Sequence, residues 1–213
     1  MLFILTGNVQ IGKTRWLQRV IAQLEKDGVR PYGVIAPGIW VAHPGDDGAP
    51  PTFEKLGIDN ELLPDHELIP FARRADLISA EEAERSCTQA QKAQLFWAID
   101  DGAIETVNGH FEKIAHIGAT ECTDELPGDG FLVVDEFGRL ELLRNEGLTS
   151  ALALVERGAT PTIPHALIIV RKDLLDLAKE RFANAPWGGI TAISPDDAGL
   201  HAIRSAFGLP ETD

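Results

Sequence analysis

Positive charge is scarce in this 213-residue chain: 19 Lys and Arg stand against 33 Asp and Glu, a net charge of −14. A surface that acidic repels phosphate backbones and anionic lipid, which argues against nucleic-acid and membrane partners. Long apolar runs are missing as well, and no stretch approaches the roughly 20 residues of a membrane span. The first apolar run, Leu2 to Leu5, is too short for a signal sequence and has no basic residue before it. Cysteine is nearly absent. Cys87 and Cys122 stand apart without CxxC spacing, as expected of free thiols in a reducing cytosol. The six histidines form neither HxxxH nor HExxH, which removes the usual zinc signatures. These absences together lead us to expect a cytoplasmic protein.

What is present is a regular alternation of strand and helix. Leu2 to Leu5 reads as a strand, followed at once by a glycine loop. Leu17, Val20, Ile21 and Leu24 then recur at i, i+3, i+4 and i+7, which predicts an amphipathic helix ending near Gly28. Tyr32 to Ala36 reads as a second strand, and such a βαβ unit implies parallel strands. From residue 37 to 95 the pattern is irregular. A proline- and glycine-rich loop and a small antiparallel hairpin are expected there, then a capping-box signal at Ser79 to Glu82. Regularity returns with Asp100 as an N-cap and Ile104, Val107, Phe111 and Ile114 on one helical face. Phe131 to Val134 is a continuous apolar run, as in a strand buried on both faces. A helix around Leu148 to Val155 closed by Gly158, a strand at 166–170, a helix at 174–182 and a strand at 189–193 follow. In the last helix Ser194 reads as the N-cap, Pro195 as N1, and Asp196 and Asp197 as acids facing the dipole. The whole chain is expected to form one three-layer α/β domain with a mostly parallel sheet.

Gly7-Asn8-Val9-Gln10-Ile11-Gly12-Lys13-Thr14 fits GxxxxGK[ST] without a mismatch, after a strand and before a helix. The chemistry explains each place. Glycines let the backbone approach phosphate oxygens, and successive N–H groups form an anion nest above the helix N-terminus. Lys13 is expected to reach the β- and γ-phosphates, Thr14 to ligate magnesium, and the Arg15 N–H to meet the α-phosphate. A second magnesium anchor is expected from a neighbouring strand, and Asp135 at the end of Phe131 to Val134 supplies it. Glu136, one residue on, points elsewhere and suits the role of base for an attacking water. Arg171 closes the strand at 166–170, where a cation would stabilise charge on the γ-phosphate. A surface salt bridge explains it equally well. Arg73 and Arg74 read as a solvated hairpin-end pair.

With both motifs placed, the sequence resembles the thermophilic or cancer-related nucleoside-triphosphatase family. The likeness rests on TGNVQIGKT at residues 6–14, GVIAP at 33–37, WAIDDGAIETVN at 97–108 and VVDEFGRLEL at 133–142. It implies a P-loop fold and a magnesium-dependent phosphohydrolase that releases the terminal phosphate of ATP, GTP and related triphosphates. It also assigns Lys13 to phosphate, Thr14 and Asp135 to magnesium, and Glu136 to water activation. The chain departs from the family pattern at Arg15, at Val9-Gln10 and at Arg139. The family usually has Thr or Ser, a proline-glycine pair, and proline at those places. Two other classes stay open on this scaffold: a small-molecule or nucleotide kinase, and a nucleotide-binding adaptor with little turnover. No NKxD-type motif reads a base, so weak base discrimination is expected, and the sequence does not set an oligomeric state.

Overall fold

The computed structural model describes residues 1–8, 11–45, 49–78, 97–119 and 129–210, with the side chain of Glu136 outside that description. Its centre is five parallel strands in the order β2, β7, β8, β1, β9. These are Arg30–Ile35, Gly130–Phe137, His165–Arg171, Leu2–Gly7 and Ile190–Ile193 respectively. Alternate side chains of each strand enter different cores. Phe3, Leu5, Phe131, Val133, Leu167 and Ile169 pack with Leu17, Val20, Ile21 and Leu24 of helix α1, Lys13–Lys26. Leu2, Ile4, Leu132, Val134, Ile168 and Val170 pack with α2, Asp101–Gly118, and with α3, Thr149–Arg157. Helix α4, Leu175–Phe182, contributes Ala178 and Phe182 to that same core. Helix α5, Asp197–Ala206, adds Ile203 to the α1 side. Strands buried on both faces explain the uninterrupted apolar runs. No described helix is long and apolar enough to cross a membrane.

Several local expectations hold at the level of single bonds. Asp100 accepts the Ala103 N–H at 3.0 Å and caps α2, whose Val107, Phe111 and Ile114 are buried. Gly158, at φ 90°, follows the last residue of α3. The cap of α5 differs from the expectation: Asp196, not Ser194, accepts the Gly199 N–H at 2.9 Å. The carboxylate lies directly before the first helical turn, so it reaches the free N–H groups that Ser194 sits too early to meet.

The antiparallel part is larger than a small hairpin. Strands β3 (Gly38–His43), β4 (Thr52–Leu63), β5 (Glu67–Arg74) and β6 (Trp97–Ile99) extend the sheet beyond β2. β4 is the spine. One of its edges pairs with β2 at 61–63 and then with β3 at 52–58, so β3 continues the path of β2 past Ala36 and Pro37. Its other edge pairs with β5. Arg73 and Arg74 are partly exposed and ion-paired: Arg73 bonds Asp59 and the Ile58 carbonyl, and Arg74 pairs with Glu54 and Asp76. The Ser79–Glu82 signal lies outside the described residues.

His66, in the β4–β5 turn, ties this extension to α1 through Glu61 at 2.6 Å and Glu25 at 3.1 Å. The bond to Glu61 and the bond to Glu25 raise its pKa above 6.5. Its stabilising contribution is therefore complete below about pH 6.5 and fades as pH rises through the folded value. Burial lowers His110 and His165, whose contributions run the other way, so wild type alone does not isolate the effect. His66→Gln should lose more urea resistance at pH 5.5 than at pH 8.5. Equal losses at both pH values would show that the histidine contributes no charge-dependent stability.

Candidate functional site

The loop between β1 and α1 is built around the start of a helix that no described side chain caps. Gly12 occupies the N-cap position at φ 87°, a left-handed conformation that favours glycine. Among the described residues no side chain caps α1, and its first turn holds no acidic residue. Helices α2 and α5 both have an aspartate cap and an aspartate in the first turn, whereas α3 has neither, so it is the glycine entry and Lys13 that set α1 apart. The N–H groups and positive dipole end of α1 are thus left for an anion. At the other end of the loop, a Cβ on Gly7 would collide with the Ile11 side chain. Lys13 turns back over the loop, its Nζ donating to the Asn8 carbonyl at 2.7 Å and the Gly7 carbonyl at 3.2 Å. Gly7, Asn8, Ile11, Gly12, Lys13, Thr14 and Arg15 therefore belong to one turn of chain, while Val9 and Gln10 lie outside the described residues.

Two further cationic and acidic positions reach the same edge of the sheet. Gly7 and Arg171 are register partners of β1 and β8, so the arginine stands beside the first residue of the loop. The acidic strand is not the immediate neighbour of β1 expected of a second magnesium anchor. β8 lies between them. Nor do the acids end their strand, since β7 runs on to the fully buried Phe137. Val134 pairs with Ile168 and Phe137 with Val170, so three steps along β7 oppose two along β8. Asp135 and Glu136 are the residues of a β-bulge, a device that re-aims side chains and is common beside active sites. Nothing in their residue types announced it.

Asp135 is 6% exposed, and its Oδ2 accepts the Ala36 N–H at 3.0 Å, at the step from β2 to β3. Asp135 follows Phe131 and Val133, whose side chains pack on the α1 face. Thr14, in the first turn of α1, and Asp135 are residues that could hold magnesium, which takes few protein ligands and completes its shell from phosphate and water. Thr6 Oγ1, in the residue before the loop, is buried without a hydrogen-bond partner among the described residues. Such a hydroxyl is a natural contact for a bound water.

Glu141 was not singled out from the sequence. It lies in a five-residue π-helical turn, Leu140–Arg144, just after the bulge, and is 6% exposed. Its carboxylate accepts the Gly138 N–H at 2.9 Å and the Leu148 N–H at 3.1 Å, pinning the chain that leaves the acidic pair. One acid among Leu140, Leu142 and Leu143 was the available signal, because a buried carboxylate must find donors.

No protein-family model matches the chain, and no curated protein matches it. In structure it is similar to a human cancer-related nucleoside triphosphatase, known from a solution structure, with a TM-score of 0.55 at 16% identity. The match covers 97% of this chain and 95% of that one. The two share a fold. The resemblance read from the motifs thus extends to the arrangement of nearly the whole α/β chain, at an identity that speaks for architecture alone.

Glu141→Ala should cost on the order of 1–3 kcal/mol for each N–H left without an acceptor, with Glu141→Gln recovering part of the loss. Equilibrium unfolding in denaturant reads both. A neutral alanine variant would mean that the carboxylate does not hold this turn.

Proposed function

We propose that the chain is a magnesium-dependent nucleoside-triphosphatase that releases the terminal phosphate of ATP- and GTP-type nucleotides on a three-layer P-loop fold. One observation carries the reading: Lys13 curls over a loop that opens an uncapped helix, at the sheet edge that also holds Arg171 and the acidic bulge. The backbone N–H groups of residues 7–15, Val9 and Gln10 included, would cradle the phosphates, and Lys13 would bind β- and γ-oxygens. Thr14 and Asp135 would hold magnesium, which neutralises charge on those oxygens. Glu136 would accept a proton from a water as the water oxygen bonds the γ-phosphorus. The bond to the bridging oxygen breaks, and its electron pair stays on the departing diphosphate. Arg171, beside Gly7, is placed to stabilise the charge that develops.

A kinase on the same scaffold is the second reading, and it has an observation of its own. In the antiparallel extension Lys55 Nζ lies 5.9 Å from the Trp40 ring and 5.4 Å from the Trp97 ring, a platform on which an acceptor could rest. Glu136 would then take its proton from an acceptor hydroxyl.

Glu136→Gln separates the readings. Glutamine keeps the size and a hydrogen bond but takes no proton, so single-turnover phosphate release should fall by about 10²–10⁴. Triphosphate affinity should stay within a few fold, because Asp135 remains. Unchanged release with intact binding would remove Glu136 as the base. Wild-type phosphate transfer that appears only with an added acceptor would move the assignment to a kinase.

A further inference from the structure

The phosphates have a loop, but the nucleoside attached to them must leave that loop across an adjoining surface. An open groove of about 660 Å³ begins at Ile11 and Gly12 and follows α1 past Arg15 and Arg19, with Pro195 also lining it. Its size falls within the roughly 300–1,000 Å³ of ligand clefts. Ile11 is a large aliphatic side chain left 47% exposed at the groove's start. Arg15 and Arg19 are exposed and stand one helical turn apart, so they share a face and repel each other. Among the described residues neither has an ion-pair partner, in a chain that carries 33 acidic residues. The described lining residues include no carboxylate. The Trp16 indole N–H, which could also face a ligand, is committed to the Asp196 carbonyl at 3.2 Å. The groove thus offers guanidinium donors over aliphatic surface.

We propose that this groove holds the base and ribose of the bound nucleoside triphosphate, and that Arg15 and Arg19 read an acceptor edge, favouring guanine over adenine. The proposal rests on the phosphate-loop reading above. Its further content comes from continuity, because Ile11 and Gly12 belong to both the loop and the groove, and from donor chemistry. Guanine presents O6 and N7 as adjacent acceptors, whereas adenine sets an amino donor beside N7. A planar guanidinium meets the first edge with two hydrogen bonds and has no acceptor for the amino group of the second. Its flat face also stacks on a base, and Ile11 and Pro195 supply apolar walls. This explains an arginine at position 15 as a specificity device rather than a loss of a loop hydroxyl.

The test measures Kd values for GTP, ATP and inorganic tripolyphosphate, each with magnesium, by calorimetry. The proteins are wild type, the double variant Arg15→Gln/Arg19→Gln, and Lys13→Ala. Both arginines are exposed, so the double variant should keep its circular dichroism and melting curve. Wild type should bind GTP about tenfold more tightly than ATP, a ratio equivalent to one good bidentate contact. In the double variant that preference should vanish, because GTP binding weakens about tenfold more than ATP or tripolyphosphate binding, which lose only the attraction of the two charges. Equal GTP and ATP affinities in wild type, or a preference that survives the double substitution, would overturn the groove assignment. An equal loss of tripolyphosphate binding would overturn it too, by placing the arginines on phosphate. Lys13→Ala reports on the underlying reading separately. If it binds tripolyphosphate as wild type does, the phosphate-loop assignment fails, whatever the groove variant shows.

Discussion

The first turn of α1 brings the positive end of a helix dipole to the edge of the sheet in a protein of net charge −14, and that turn itself holds no acidic residue. At α2 and α5 the chain answers that field with Asp100 and Asp101 and with Asp196 and Asp197, whereas α3, like α1, has neither a side-chain cap nor an acid in its first turn. A carboxylate in the first turn of α1 would occupy the place of a bound phosphate oxygen. Gly12 in the left-handed region makes the abrupt entry into the helix possible, and Lys13 adds a full charge where the dipole contributes about half of one. The local positive field that the acidic surface denies elsewhere is therefore built from backbone, the Lys13 ammonium and the arginines at positions 15 and 171.

The sheet then decides which other groups share that field. Parallel strands end together, so Arg171 arrives beside Gly7 by register alone. Neighbouring strands are about 4.8 Å apart, and β8 places the acidic strand two such steps from β1. The bulge at Asp135 and Glu136 gives the chain freedom to re-aim those residues across that gap, while Phe137 returns to the core beyond it. Asp135 also holds the Ala36 N–H, where β2 passes into β3. One carboxylate thus links the acidic strand to the root of the antiparallel extension. Glu141 fixes the following turn, so the bulge is supported on both sides.

The parallel core was legible because its signals are redundant. Leu17, Val20, Ile21 and Leu24 repeat at the helical period, and Phe131 to Val134 and Ala166 to Val170 are unbroken apolar runs. The helical period marks an amphipathic helix, and runs of four or five residues are too short for a helix and read as buried strands. The extension was not legible. β4 interleaves Glu54, Lys55, Asp59 and Glu61 with Leu56, Ile58 and Leu62, and its pairing with β5 shifts at Ile58/Asp59, which breaks the period of two. Cap choice failed for a different reason. Ser194 and Asp196 are both good caps, and only the backbone path decides which reaches a free N–H. Strand order is decided by which layers cover the sheet, which is why β8 between β1 and β7 had no mark in either strand. At the site, residue types were readable from the motif and from the end of an apolar run, whereas the bulge and the Glu141 brace arise only from tertiary pairing.

The most direct measurement is the thermal stability of wild type and Lys13→Ala, with and without magnesium and a nucleoside triphosphate. At a hundredfold excess over Kd, binding to the native state adds about 2.7 kcal/mol. In a domain of this size that raises the wild-type Tm by roughly 5–10 °C. Removing the ammonium that lies over the Asn8 and Gly7 carbonyls should abolish the shift while leaving the ligand-free Tm nearly unchanged, since Lys13 packs no core. A full shift in Lys13→Ala, or no shift in wild type at saturating ligand, would contradict the assignment of this loop to phosphate.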